Sequence, residues 1–252
     1  MRNIKLTIQY DGTKYCGWQS QKNKNSIQET IERVLSNILQ EKINLIGSGR
    51  TDSGVHAKGQ VANFKTNSKI SSARIKKALN GLLPHDIKIR EIEEVRLGFH
   101  SRFDSKAKTY RYLIFNSSTL NPFLDRFSYF YHYKLNIALM KKAAKMFLGK
   151  HDFRAFCASG ASCHDTIREI KNISIKIINH DLFEDNNSLI SVEIEADGFL
   201  YNMVRSIVGT LAEIAREKMS IDSLTSALKN GRRCLIGKTF PAKGLHLINV
   251  EY

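Results

Sequence analysis

Polar and apolar positions alternate from the start of the chain. Ile4, Leu6, Ile8 and Tyr10 interleave with Lys5, Thr7 and Gln9, which predicts a half-buried strand. The period then lengthens to that of a helix. Ser26 and Glu29 form a capping box, and Ile27, Ile31, Val34, Leu35 and Ile38 share one face behind it. Apolar runs at 43–46 and 61–64 predict two strands. Ser71 or Ser72 caps a second helix with Ile75, Leu79 and Leu82 on its inner face, and Ile87 and Ile89 open a further strand. This first half reads β-α-β-β-α-β.

Residues 99–104 read as a crossing into a second half. There Tyr110, Tyr112 and Ile114 lie on one side of a strand over 109–115. Asn136 caps a helix expected to run through Leu148 and to end at Gly149. Ile173, Ile175 and Ile177 alternate, as do Ile190, Val192 and Ile194. A long helix follows, with Met203, Val204, Ile207, Val208 and Leu211 on its buried face and Arg205 off that face. An apolar strand over 245–250 ends the chain. The second half therefore repeats the element order of the first, without repeating its sequence. The expected class is α+β, with antiparallel sheets and helices on one face. The expected halves are 1–104 and 105–252, joined in one continuous body because no low-complexity linker separates them.

Composition narrows the functional classes. An apolar fraction of 42% over 252 residues suits one large domain or two small ones. The apolar runs are only a few residues long, so no membrane-spanning helix is expected. The first residues enter a strand pattern without the apolar core of a signal peptide, which predicts a cytoplasmic protein. Lys and Arg total 39 against 24 Asp and Glu, a net charge of +15 spread along the chain. A folded body with that excess attracts a polyanion, and nucleic acid leads the candidates.

Cofactor and metal motifs fail one by one. Cys16, Cys157, Cys163 and Cys234 make no C-x-x-C, so neither a zinc site nor a redox pair is expected. Cys157, Cys163 and His164 cluster, and bystander thiols are the reading adopted for them. Gly47-Ser48-Gly49 starts like a dinucleotide fingerprint, but Asp52 holds the third glycine's place and would repel a pyrophosphate. Gly237-Lys238-Thr239 ends like a phosphate loop, but Gly231 lies one residue too far upstream.

Two loops remain. From Asp11 to Lys24 a basic loop holds Lys14, Tyr15 and Trp18, the one tryptophan of the chain. Aromatics among lysines suit base stacking and phosphate contact, or else Tyr15 and Trp18 pack beneath the loop. From Gly47 to Ala57, between two predicted strands, three glycines surround Arg50, Thr51 and Asp52. Asp52 either caps a turn or is presented for chemistry. A carboxylate beside Arg50 stays ionised and can act as nucleophile or base. No second carboxylate accompanies it, which argues against a two-carboxylate hydrolase.

Arg50-Thr51-Asp52-Ser53-Gly54-Val55-His56-Ala57 resembles the signature of the TruA-type tRNA pseudouridine synthase family. So do six further stretches in the family's order: Tyr10 to Gln19, Phe99 to Phe103, Lys108 to Tyr112, His151 to Phe153, Phe199 to Gly209, and Pro241 to Leu245. Nearly the whole chain is covered. The resemblance implies two α/β halves related by a pseudo-two-fold axis, with an active-site cleft between them. It implies a homodimer that isomerises uridine to pseudouridine in the tRNA anticodon stem-loop, without cofactor or metal.

By motif, Asp52 matches the catalytic carboxylate. Tyr110 matches a tyrosine that stacks on the flipped uracil, and Arg205 an arginine that pairs with that Asp. Arg50 matches an arginine that enters the RNA, and Leu245 an apolar wall of the uracil pocket. Lys14 and Trp18 are added as RNA contacts on the strength of their loop. Whether Asp52 attacks ribose or base, or removes a ribose proton, stays open. Base flipping is required, because the target atoms are inaccessible in a stacked helix.

Two departures stand out. Phe240 occupies a position where the family usually has Ala, and the 127–133 strand lacks tryptophan. Taken singly, Tyr110 reads as a cross-strand aromatic and Arg205 as a snorkelling surface residue. His56, His100 and His151 read as structural. A silent tRNA-binding protein on the same scaffold, or a paralogue acting on other tRNA or ribosomal RNA uridines, are the rival readings.

Overall fold

The computed structural model describes residues 1–21, 24–158, 165–178 and 188–252. Cys163 and His164 lie outside the described residues. In chain order the elements are β1 (Arg2–Tyr10), α1 (Ile27–Leu39), β2 (Ile46–Gly47), β3 (His56–Thr66), α2 (Ser72–Leu82), β4 (Ile87–Val95), β5 (Ala107–Asn116), β6 (Tyr129–Tyr131), α3 (Ile137–Ala144), β7 (Gly149–Asp152), β8 (Ile167–Ile178), β9 (Ser188–Ala196), α4 (Met203–Ala215), α5 (Ile221–Asn230) and β10 (Leu245–Glu251). The architecture is mixed α/β, and the chain divides into two compact units.

One unit comprises Met1–Lys106 and His246–Tyr252. Its strands run β4-β1-β3-β10, with β2 on β3. β1 is antiparallel to both β3 and β4, whereas β10 pairs with β3 in parallel, His246 opposite His56. Ile4, Leu6 and Ile8 are fully buried, as the alternation predicts. The Ser26 hydroxyl accepts from Glu29 N–H at 3.3 Å and starts α1, whose Ile27, Ile31 and Leu35 face the core.

Two expectations fail in this unit. Residues 43–45 are not a strand. Leu45 N–H donates to Glu32 Oε1, Leu45 C=O accepts from Gln28 Nε2, and Ile43 N–H donates to Ser36 Oγ. Side chains of α1 thus satisfy the backbone that a neighbouring strand would have taken. Leu82 is exposed, and Leu83, where α2 ends and the backbone turns extended, takes the buried place.

The other unit is Ala107–Leu245, with strands β5-β9-β8-β7 and β6 added to β5 in parallel. β5 pairs with β9 in unbroken antiparallel register, Tyr110 opposite Ile194 and Tyr112 opposite Val192. Asn136 Oδ1 accepts from Leu139 N–H at 3.1 Å and caps α3. That helix ends at Ala144, short of the expected Leu148. A 3-10 turn over Lys145–Phe147 carries Phe147 into a buried cluster with Phe153 and Phe156, and Gly149, at φ 88°, starts β7. α5, with Ser220 as its N-cap and Gly231 at φ 66° behind it, was not anticipated. No helix among the described residues is long and apolar enough to cross a membrane.

Candidate active site

The loop from Gly47 to Val55 leaves one partner strand and returns to it. β2 lies antiparallel to β3, Gly47 opposite Ala62, and Ser48 N–H donates to Val61 C=O at 2.8 Å. Gln60, fully buried on β3, then fixes the outgoing arm. Its Oε1 accepts from Ser48 Oγ at 2.8 Å, and its Nε2 donates to Gly49 C=O at 2.9 Å. A type of turn closes the returning arm: Val55 N–H donates to Asp52 C=O at 3.1 Å, with Gly54 at φ 77°. Asp52 itself is half-buried at the head of this turn.

The loop from Asp11 to Ser20 supports that turn from below. Trp18 N–H donates to Thr51 C=O at 3.0 Å. Tyr15 C=O accepts from Ser53 Oγ at 3.2 Å and Gly54 N–H at 3.4 Å. The approach is so close at Gly17, at φ 89°, that a Cβ there would lie 2.4 Å from Thr51 O. Buried side chains add a direct tie: Tyr10 OH and Thr51 Oγ1 are 2.8 Å apart. Burial raises the Tyr10 phenol above its usual range, partly offset by its bond to Thr51, so Tyr10 stays protonated.

This geometry decides between the two readings of the aromatic loop. Trp18 is 2% exposed and its indole lies against Gly47, so it packs beneath the loop and offers no stacking surface to RNA. That corrects the expectation of a Trp18–RNA contact. Tyr15 is buried likewise, whereas Lys14 is exposed. Arg50 is exposed too, and its Nε donates to Gln19 Oε1 at 3.1 Å. Gln19 Nε2 donates in turn to Gln28 Oε1, and Gln28 Nε2 to Glu32 Oε1, which ties Arg50 to α1 through a chain of amides.

In the second unit, Tyr110 sits on β5, 8% exposed, with its ring edge-to-face against Phe199 at 5.1 Å. Arg205 projects from the first turn of α4. Its Nη1 donates to Asn202 Oδ1 at 2.7 Å and its Nε to Phe240 C=O at 2.6 Å. Phe240 is itself held, 4% exposed, among the rings of Tyr112, Tyr129 and Tyr131. The residue that departs from the family pattern is therefore a core aromatic, and its carbonyl aims Arg205. Tyr112 OH donates to Pro241 C=O at 2.7 Å and fixes the same segment. Leu245 is buried at the start of β10.

Sequence reading missed Tyr10, Gln19 and Gln60 as supports. Among the described residues no group of three His, Cys, Asp or Glu side chains forms a metal cage.

The chain is thus a strongly basic, mixed α/β protein that presents a carboxylate on a loop braced from its own sheet and from a second loop. Residues 6–104 and 143–252 match the profile of the tRNA pseudouridine synthases, and the chain belongs to that family. It is 47% identical to tRNA pseudouridine synthase A of Acetivibrio thermocellus, over 252 residues that cover the whole of both chains. It is 45% identical to the protein of that name from Clostridium acetobutylicum and 44% identical to that from Thermoanaerobacter pseudethanolicus, again over the full length of each.

Proposed function

We propose that this chain isomerises uridine to pseudouridine in the anticodon stem-loop of tRNA, as a homodimer, with Asp52 as the catalytic carboxylate. The observation that carries the reading is the bracing of Asp52. Its loop is tied by Gln60 on one arm, by Tyr15 on the other, and by Tyr10 and Trp18 at the adjacent Thr51. A group that must meet an extruded nucleotide gains most from such preorganisation.

In the reaction the N1–C1′ bond breaks, the base turns, and a C5–C1′ bond forms. The C5 proton leaves and N1 ends with a proton, so atoms balance without an oxidant or a second substrate. An ionised Asp52 serves either as nucleophile or as base in that sequence. By the family resemblance, Tyr110 is the tyrosine that stacks on the flipped uracil, Leu245 an apolar wall of the uracil pocket, and Arg205 the arginine partner of the catalytic carboxylate. Arg50 takes the space that the base vacates. Lys14 and the rest of the +15 charge hold phosphates, which positions the RNA without reading its sequence.

The test uses a tRNA transcript carrying 5-tritiated uridine. Incubation with the protein is expected to release tritium in step with pseudouridine formation mapped to the anticodon stem-loop. Absence of release, or pseudouridine confined to other parts of the tRNA, would overturn the reading.

A further inference from the structure

We propose that Phe103, with Arg102 beside it, is a stacking platform for an unpaired RNA base outside the Asp52 site. This inference rests on the tRNA function proposed above. It starts from the stretch Phe99 to Asp104, to which the proposed chemistry assigns no role. Half of that stretch faces inward. Ser101 is fully buried, donates its N–H to Asn63 Oδ1 at 2.9 Å, and accepts from Tyr252 OH at 2.7 Å. Phe99 C=O accepts from Asn3 Nδ2 at 2.9 Å, and the Phe99 ring packs on Tyr252 at 5.0 Å.

The other half is turned out and held rigidly there. Phe103 is 74% exposed, and Arg102 is exposed beside it. His100 lies against the Phe103 ring at 4.3 Å and 30°, and its Nδ1 accepts the N–H groups of Arg102 and Phe103 at 3.2 and 3.3 Å. Asp104 locks the turn by accepting from His100 N–H and from Arg96. The Arg102 guanidinium sits 5.5 Å from the ring centroid. Exposure alone does not set Phe103 apart, since Phe123 and Leu82 are exposed too; what does is that its ring is held in place by His100 with a guanidinium beside it. Its chemistry selects the partner. A flat ring beside a guanidinium offers a π-face to a base and a cation to the adjoining phosphate, and the basic chain supplies the long-range attraction. A stack of this kind tolerates any base, so the platform serves affinity and register rather than sequence choice.

The test compares Phe103→Ala, Phe103→Leu and Phe103→Trp, all at an exposed site that leaves the core intact. Ala and Leu are expected to weaken tRNA binding about tenfold, the cost of one lost base stack, while Trp restores it. The Phe103→Trp emission, read above the buried Trp18 background, is expected to be quenched saturably by tRNA and not by fully paired RNA of equal length. Wild-type affinity in Phe103→Ala, with the wild type binding and isomerising tRNA normally, would overturn the platform and leave the enzyme assignment standing. Wild-type protein that neither binds nor isomerises tRNA would overturn the assignment, and the platform with it. A change in sedimentation in Phe103→Ala with tRNA affinity unchanged would overturn the platform in favour of a contact between copies of the chain.

Discussion

Tyr10 and Thr51 share a buried hydroxyl–hydroxyl hydrogen bond of 2.8 Å, one residue before Asp52. It joins the end of β1 to the head of the loop that carries Asp52. Tyr10→Phe keeps the ring and deletes the bond, leaving the Thr51 hydroxyl short of a partner. The expected loss of stability is about 1 kcal/mol. The larger effect is expected in kcat, because Asp52 is held through Thr51, with tRNA affinity unchanged. Equal losses in kcat and affinity would mean that the bond supports the unit in general rather than Asp52.

Gln19 orients Arg50 from outside the signature loop. Gln19→Ala removes the 3.1 Å acceptor of Arg50 Nε and frees the guanidinium to sample other rotamers. The expected result is a rise in KM of a few-fold with kcat little changed, since ordering Arg50 is then left to substrate binding. Gln19→Glu, which retains an acceptor oxygen, is expected to recover most of the loss. Failure of Glu to recover it would assign the effect to the Gln28 end of the amide chain.

Phe240 couples packing to the site. Phe240→Ala removes a ring lodged among Tyr112, Tyr129 and Tyr131, at an expected cost of about 3 kcal/mol. The segment whose carbonyl holds Arg205 loosens with it, so activity is expected to fall further than the folded fraction does. Activity per folded molecule equal to wild type would show that the Arg205–Phe240 carbonyl bond survives without the ring.

Several phenols make the protein sensitive to alkali. Burial raises Tyr10, Tyr15, Tyr112 and Tyr252 above the usual tyrosine value, with Asp86 adding to the rise at Tyr15. The unfolded chain gives up these protons near pH ~10, the folded chain only at higher pH. Their contribution to stability is whole below about pH 10 and is lost as pH rises through the folded-state values. Denaturant midpoints are expected to hold steady up to about pH 9 and to drop by about pH 11. A Tyr15→Phe variant should drop less steeply, and a midpoint that is flat across this range would contradict the burial of these groups.

What the sequence made legible is what is local. The alternation in β1, the Ser26–Glu29 box and the Asn136 cap each state their structure within a few residues. Residues 43–45 misled because their apolar character matches a strand, while the decision lay with Gln28, Glu32 and Ser36 on the preceding helix. The end of α3 misled because helical period continues past Ala144, whereas the three-phenylalanine cluster favours a tighter turn. α5 did carry its signals, Ser220 before and Gly231 after, and was overlooked in a stretch otherwise rich in polar residues.

The site divides the same way. Asp52 and Arg50 stand in a continuous motif, so they can be picked out as candidates from the sequence. Their supports are not, because Tyr10 lies 41 residues from Thr51, Gln19 31 residues from Arg50, and Phe240 35 residues from Arg205. Trp18 shows the limit of composition. A tryptophan among lysines has the look of an RNA contact, but the close approach of Gly47 to its indole puts it inside.

Asp52 is the residue on which the proposed isomerisation depends. Asp52→Asn keeps size and hydrogen-bonding shape while deleting the charge, and Asp52 C=O still accepts from Val55 N–H. The decisive measurement is tritium release from 5-tritiated uridine tRNA by this variant, alongside its tRNA affinity. The expected result is wild-type affinity with release at the background rate. Appreciable release by Asp52→Asn would contradict the assignment of Asp52 as the catalytic carboxylate.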